Sequence, residues 1–192
     1  MNVYDFDNTI YNGDSGVDLI KYTFSLHPFL ILKHIFKSIP YLIKYLLNKI
    51  EVEEFKENLF SFLKYIENID IFIEEFVNKN INKIKPWYKR QQQPSDLVAS
   101  ASYDLWINIF CEKLGIKNII STNIDKSTYK LISKNCSKEE KLRRIKEQYP
   151  NIKIKTTYSD SKNDIPLLKS GERGVMVKGN EMYEYYRKKD EY

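Results

Sequence analysis

The chain opens on Asn2-Val3-Tyr4-Asp5-Phe6-Asp7-Asn8-Thr9, in which three residues of strand character run into an acidic, polar turn. A short apolar run that ends in aspartate predicts a β-strand whose carboxyl end opens into a site. Asp5 and Asp7 could equally do no more than cap a turn, because aspartate and asparagine are common turn residues. The stretch by itself therefore leaves a structural and a chemical interpretation open.

The second half of the chain alternates strands with helices. From residue 86 onward, the hydrophobic pattern predicts strands at residues 96–100, 118–122, 153–158 and 174–177. It predicts helices at residues 103–114, 138–148 and 165–169, and a last helix that runs from Glu181 into the charged tail. Such alternation indicates an α/β fold, in which a Rossmann-like parallel sheet core carries helices on both faces. The strand at the start of the chain has to join this sheet.

The segment between the first strand and this alternating half has a different texture. From residue 14 to residue 85 apolar residues recur at steps of three and four, which predicts helices and no strands. Pro28 and Pro40 predict breaks between these helices. We therefore expect a core of residues 1–13 and 86–192, with an all-helical cap of residues 14–85 inserted after the first strand.

Composition limits the class of protein. The 192 residues are 42% hydrophobic and 30% charged, which predicts a globular, cytoplasmic protein of one medium domain or of a core plus a small lobe. No signal-peptide pattern is present, and no apolar run reaches the roughly 18 residues that a membrane span needs. Cys111 and Cys136 fit neither a disulfide framework nor a zinc pair, so we expect free thiols. The net charge of +5 suits an anionic substrate, and nothing predicts a nucleic-acid or protein partner.

A second acidic cluster, Asp160-Ser161-Lys162-Asn163-Asp164, again follows a predicted strand directly. It could simply cap the helix that begins near Ile165. However, the carboxyl ends of parallel strands face one crevice, so both acidic clusters would meet there. Carboxylates gathered in this way repel one another unless a cation joins them. A hard divalent ion with oxygen ligands, most naturally Mg²⁺, is the predicted solution.

Two further polar residues belong to the same edge of the predicted sheet. Ser100 ends the strand Leu97-Val98-Ala99-Ser100, and Lys141 lies in the first turns of a helix. Taken one by one, each residue has an ordinary structural interpretation: Ser100 as a small residue in a tight turn, and Lys141 as a solvated helix lysine.

Taken together, four segments resemble the haloacid dehalogenase superfamily, in its phosphoserine-phosphatase-like branch with a helical cap. The segments are Asp5-Phe6-Asp7-Asn8-Thr9, Val98-Ala99-Ser100-Ala101-Ser102, Asn135-Cys136-Ser137-Lys138-Glu139-Glu140-Lys141 and Ser159-Asp160-Ser161-Lys162-Asn163-Asp164. The resemblance covers nearly the whole chain, and each motif lies at the expected end of its element.

This resemblance implies a Mg²⁺-dependent phosphatase that acts on a small phosphorylated substrate. Asp5 would be the nucleophile that forms an aspartyl-phosphate, and Asp7 the general acid and base. The resemblance assigns the metal to the side chains of Asp5 and Asp160 and to the backbone carbonyl of Asp7. The remaining residues that it implies are Ser100 and Lys141 at the phosphoryl group, Thr9 and Asp164 in support, and Asp14, Ala101 and Ser102 at the substrate.

The basic residues of the predicted cap bear on which substrate the protein binds. No arginine occurs between residues 1 and 89, so the bidentate clamp expected for phosphoserine is missing. Between Leu19 and Ile50 there are five lysines and no acidic residue. These lysines could be solvated charges on a packed cap, or they could form a surface for peripheral contact with an anionic membrane.

Several other functions stay open at this point. A phospholipid head-group phosphatase would use such a membrane surface. A phosphomutase of the same superfamily would use Asp5 and Asp7 but return the phosphoryl group to a sugar. A phospho-accepting signalling domain would lack both the second acid and the large insertion. An enzyme retired to an interaction role would have no reason to keep this set of residues.

Overall fold

The computed structural model describes residues 1–185, which form one six-stranded sheet with helices on both faces. The strands are β1 (Asn2–Tyr4), β2 (Leu97–Tyr103), β3 (Asn118–Thr122), β4 (Thr156–Ser159), β5 (Arg173–Lys178) and β6 (Glu181–Tyr185). They lie in the order β3-β2-β1-β4-β5-β6, and all neighbouring pairs are parallel except β5 and β6. The predicted α/β fold is confirmed.

The shortest parallel strand, β1, lies at the centre of the sheet. Tyr4 pairs with Val98 on one side and with Tyr158 on the other, so the first residues of the chain join distant segments. Val3 and Tyr4 are fully buried in two different hydrophobic clusters, one on each face of the sheet. As a result, the carboxyl ends of β1, β2 and β4 meet at one edge, which is where the acidic clusters follow.

Helices fill the chain between β1 and β2. They are α1 (Ser15–Leu26), α2 (Pro28–Leu46), α3 (Val52–Leu59), α4 (Ile69–Asn80) and α5 (Pro86–Gln91), with short 3₁₀ turns at residues 61–65 and 81–83. The later helices are α6 (Asp104–Lys113), α7 (Lys138–Gln148) and α8 (Ile165–Leu168). The helical character of the insertion is as predicted, whereas its division from the core at residues 13 and 86 stays a prediction.

The expected break at Pro40 is wrong, because α2 continues through it. Proline removes the hydrogen bond to the carbonyl four residues earlier, which here belongs to Phe36. Phe36 is 71% exposed and Pro40 is also exposed, so water can reach that carbonyl and the helix tolerates the loss. Pro28, in contrast, occupies the first turn of α2, where no such bond is lost.

The predicted last helix is also wrong over the part that the structure describes. The chain reverses at Gly179, whose φ of 59° suits a tight turn, and returns as β6 antiparallel to β5. Tyr183 and Tyr185 are good strand residues on this edge. The rest of the predicted helix, residues 186–192, lies outside the described residues.

The inserted helices pack onto the core through aromatic side chains. Phe76 of α4 meets Phe110 of α6 edge to face, with ring centroids 6.0 Å apart, and Phe110 also contacts Phe6 and Tyr11. Cys111 and Cys136 are buried free thiols, as predicted. Among residues 1–185, no helix has the length and hydropathy that crossing a bilayer requires.

Candidate active site

The chain leaves β1 through a wide turn over Phe6–Ile10, closed by a hydrogen bond from the Tyr11 N–H to the Phe6 carbonyl at 2.9 Å. Asn8 takes a left-handed conformation with φ of 55°, which asparagine tolerates better than most residues. Here the turn keeps Asp5 at the strand end and allows Thr9 to face back toward it.

Lys141 lies between two carboxylates at the centre of the site. Its Nζ donates to Asp5 Oδ1 at 2.7 Å and to Asp164 Oδ2 at 2.6 Å. Asp5, Lys141 and Asp164 are only 7%, 1% and 3% exposed, so these charges are held out of water. Burial opposes the charge on Lys141, but the two carboxylates outweigh it and raise the pKa of the ammonium group above its usual range.

Thr9 links the two acidic clusters, which lie 151 residues apart in the chain. Its hydroxyl donates to Asp5 Oδ2 at 3.0 Å and accepts from the Asp160 N–H at 2.9 Å. Burial and the nearby charge of Asp5 raise the pKa of Asp160 to about 7. The structure thus brings Asp5, Asp160 and Asp164 to one place, as the sequence predicted.

The crowding of Asp5 and Asp160 is the observation that tests the predicted metal site. Burial first, and then the charge of nearby Asp5, raise the pKa of Asp160 far enough that it carries a proton in part of the population at neutral pH, and a divalent cation would relieve the repulsion between the two carboxylates. Within residues 1–185, no group of three or more acidic, histidine or cysteine side chains is placed so that it could hold a metal ion by itself. One or two carboxylates with waters is a common ligand set for Mg²⁺, so the oxygen donors present fit that ion.

Asp7 occupies a different environment from Asp5. Its Oδ1 accepts from the Ser15 N–H and its Oδ2 from the Ser102 hydroxyl, both at 2.6 Å. Burial first, and then the charge of Asp14, raise the pKa of Asp7 to about 6. Trp106 Nε1 donates to the Ser15 hydroxyl at 2.9 Å, which extends the network that holds this carboxyl group. Asp7 is therefore oriented and close to its titration point at neutral pH.

The other predicted residues occupy varied positions. Ser100 is fully buried, and its hydroxyl accepts from the Ser102 N–H at 3.0 Å. Ala101 and Ser102 line the same cavity as Asp5, whereas Ser100 does not. Asp14 also lines the cavity, and its carboxylate caps α1 by accepting from the Val17 N–H at 2.9 Å.

Lys56, a residue of the inserted helix α3, was not predicted. Its Nζ reaches into the core and donates to the Ala101 carbonyl at 2.8 Å and to Asn135 Oδ1 at 2.7 Å. Burial lowers the pKa of Lys56 to about 8, although Asp7 and Asp14 oppose that shift. In the sequence Lys56 resembles every other lysine of an amphipathic helix, so no local signal could have identified it.

Asp5, Asp7 and Asp160 line a cavity of about 360 Å³ that lies between the sheet edge and the inserted helices. Lys141 is a further lining residue near the sheet edge. The inserted helices contribute the apolar lining residues Ile20, Tyr45, Val52, Phe55 and Leu59. The cavity can therefore hold a charged group against the carboxylates and an organic group against the helices.

The cavity and its carboxylates lie at the carboxyl edge of a parallel sheet, and comparison with known families identifies the class of protein. The chain belongs to the haloacid dehalogenase-like hydrolase family, whose model matches residues 3–169. The family predicted from the four motifs is confirmed. No curated protein sequence matches the chain.

Solved structures share the fold at low sequence identity. A protein of unknown function from Bordetella pertussis Tohama I has a TM-score of 0.72 at 16% identity, over 88% of this chain and 85% of that one. A phosphoserine phosphohydrolase-like protein from Francisella tularensis has a TM-score of 0.57 at 18% identity, over 89% and 83% of the two chains. A phosphoserine phosphatase solved as a phospho-aspartyl intermediate analogue has a TM-score of 0.50 at 21% identity, over 88% and 81%. The similarity is one of fold, and it matches the predicted phosphoserine-phosphatase-like architecture.

The buried cluster predicts the effect of removing its cation. Lys141→Met keeps most of the side-chain volume but leaves Asp5 and Asp164 unpaired, so we expect it to lower the free energy of unfolding by about 3–5 kcal/mol in metal-free buffer. Lys146→Met, at an exposed position of the same helix, is the matched control and should change stability by less than about 0.5 kcal/mol. Urea denaturation followed by circular dichroism measures both. Equal, small losses in the two variants would contradict the central position of Lys141.

Proposed function

We propose that this protein is a Mg²⁺-dependent phosphatase that hydrolyses a phosphate monoester through an aspartyl-phosphate on Asp5. The observation that carries the proposal is that Asp5, Asp7, Lys141 and Asp160 line one cavity. A carboxylate nucleophile, a second acid of different environment, a buried cation and a hard-metal donor set are the parts that metal-assisted phosphoryl transfer needs.

In the first step, a carboxylate oxygen of Asp5 forms a bond to phosphorus while the bond from phosphorus to the ester oxygen breaks. The departing alkoxide takes a proton from Asp7, so a neutral alcohol leaves. The raised pKa of Asp7, about 6, supports this role because the group still carries a proton in part of the population at neutral pH. Dehalogenation would not need this acid, so Asp7 favours phosphoryl transfer.

In the second step, Asp7 takes a proton from a water molecule, and the water oxygen attacks the phosphorus of the aspartyl-phosphate. The bond between phosphorus and the Asp5 oxygen breaks, which releases inorganic phosphate and restores the carboxylate. The hydrogen bonds that Asp7 accepts from Ser15 and Ser102 hold its carboxyl group in place through both proton transfers.

Charge compensation comes from the groups around Asp5. Lys141 lies 2.7 Å from the nucleophile, and its positive charge reduces the repulsion between that carboxylate and an incoming phosphate. Asp164 anchors Lys141 from the other side, and Thr9 orients Asp5. When bound between Asp5 and Asp160, with the Asp7 carbonyl as a further ligand, Mg²⁺ would supply Lewis-acid stabilisation of the phosphoryl oxygens.

We further propose that residues 14–85 act as a cap that closes over the cavity and contacts the organic part of the substrate. Hydrogen bonds from three residues tie α3 to the core: Lys56 donates to the Ala101 carbonyl, Glu53 Oε1 accepts from the Asn135 N–H, and Glu57 Oε1 accepts from the Leu131 N–H. The apolar side chains that the inserted helices contribute to the cavity favour a substrate whose alcohol is partly apolar. Ala101 and Ser102 also line the cavity, as do Asp14 and Lys56, which carry opposite charges.

The nucleophile is tested by release of inorganic phosphate from a panel of phosphorylated amino acids, sugars, nucleotides and lipid head groups. We expect turnover that requires added Mg²⁺ and that falls by more than about 10³-fold in Asp5→Asn. Asp70→Asn, which removes the carboxylate of a surface ion pair with Lys126, is the matched control and should retain the parent rate. Metal-dependent turnover that survives in Asp5→Asn would refute the assignment.

The acid and base role of Asp7 is tested separately with two kinds of leaving group. With p-nitrophenyl phosphate, whose leaving group needs no proton, Asp7→Asn should form the phospho-enzyme but hydrolyse it slowly. Intact-protein mass spectrometry after acid quench should then detect one added phosphoryl group. With an alkyl phosphate, the same variant should be slowed already in the first step, by about 10²–10⁴-fold. Parent rates on both substrates would show that Asp7 is not the proton donor.

A further inference from the structure

The outward side of α2 is a long apolar surface that no element within residues 1–185 covers. Leu32, Phe36, Ile39, Ile43 and Leu46 follow one another at steps of four and three residues, so they share one helix face. Each of them is between 42% and 71% exposed, and Phe29 at the start of the same helix is 86% exposed. A continuous exposed apolar row of this length marks a surface that contacts something else.

A different side of α2 packs on the protein. Ile31, His34 and Ser38 are buried, and His34 is fixed by its Nε2 at 2.9 Å from the Leu59 carbonyl and by an edge-to-face contact with Phe62. The helix is therefore held in place from within, and its apolar outer row cannot turn inward without breaking these contacts.

A basic row borders the apolar row. Lys33, Lys37 and Lys44 are spaced by four and seven residues, so they lie along one line of the helix next to Phe29 and Phe36. Within the part of the chain that the structure describes, none of the three forms an ion pair. From Leu19 to Ile50 the chain has five lysines and no acidic residue.

We propose that this face of α2 docks the protein on the surface of an anionic lipid bilayer. Apolar side chains with flanking lysines and no acids are the features of a helix that lies in the membrane interface, with its apolar row at the acyl boundary and its lysines among the head groups. The helix lies on the bilayer and does not cross it, because no described helix is long and apolar enough to span.

Charge favours a lipid surface over a second copy of the chain. Two copies paired through this face would bring together lysine rows on helices that contain no acidic residue, which disfavours association. The head groups of an anionic bilayer would attract the same lysines along the whole helix. Lys33 and Lys37 also line a hollow with His27 and Tyr65 on the side of α2, and no carboxylate among residues 1–185 lines that hollow.

The docking face and the cavity share a helix. Tyr45, near the end of α2, lines the catalytic cavity and stacks on Phe55 with ring centroids 5.0 Å apart. A helix is about 10 Å across, so docking on α2 would set the cavity about one helix away from the lipid. The docking itself does not rest on the proposed catalytic function, and its test measures binding alone.

The experiment is sedimentation of the full chain with phosphatidylcholine vesicles that contain or lack phosphatidylglycerol. We expect binding to the anionic vesicles that weakens as salt is added, and little binding to the neutral ones. Lys33→Gln, Lys37→Gln and Lys44→Gln combined should weaken binding by roughly 100-fold, about fivefold for each lysine. Phe29→Ser with Phe36→Ser should also release the protein from the vesicles.

A matched control removes three exposed lysines of the core, through Lys117→Gln, Lys146→Gln and Lys153→Gln, and should leave binding within about twofold because these lysines are away from α2. Thermal unfolding of every variant establishes that it is folded. Equal loss in both lysine triples, equal binding to neutral vesicles, or no binding at all would overturn the proposal.

Sedimentation velocity without lipid tests whether this face instead joins two copies of the chain. A dimer that Phe29→Ser and Phe36→Ser dissociate, together with absent vesicle binding, would assign the face to a second copy.

Discussion

The site depends on the electrostatic cost of bringing several carboxylates together out of water. Asp5, Asp160 and Asp164 meet at one sheet edge, and isolated charges in such a place would strongly destabilise the fold. Lys141 offsets part of this cost by donating to Asp5 and Asp164 over 2.7 and 2.6 Å. Among residues 1–185 no ammonium group donates to Asp160, and the pKa of Asp160 rises to about 7. The cluster therefore remains one cation short of balance on the side where a metal ion would bind.

The sheet topology explains why these charged residues gather at this edge. β1 is the central strand, and its three residues pair with segments nearly 100 and more than 150 residues away. The turns that follow the parallel neighbours β2 and β4 lie at the same edge as the turn after β1, so pairing with this one short strand brings distant residues together. The helices inserted after β1 then cover that edge and add Lys56 and an apolar wall. The carboxylates and the apolar side chains that line one cavity thus come from two different parts of the same chain.

The parts of this picture that the sequence predicted are those with a local signal. The strands, the acidic turns after β1 and β4, and the helical insertion follow from hydrophobic period and turn chemistry. Lys141 and Ser100 have no distinctive local pattern, and only the joint resemblance of four motifs identified them. Lys56 had neither signal, because its position near Asn135 depends on how α3 packs. The last helix was predicted wrongly because a tyrosine-rich charged segment fits a helix by composition, whereas the turn at Gly179 returns it as the edge strand β6.

The most direct test of this account is a crystal of the protein soaked with Mn²⁺ as an anomalous-scattering substitute for Mg²⁺. We predict one strong anomalous peak at the sheet edge, with carboxylate oxygens of Asp5 and Asp160 roughly 2.1 Å from the ion and the Lys141 ammonium group still bound to Asp5. The same soak of Asp160→Asn should show that peak weakened or lost. An ion bound elsewhere, or an empty edge between Asp5 and Asp160 in the parent protein, would contradict the account.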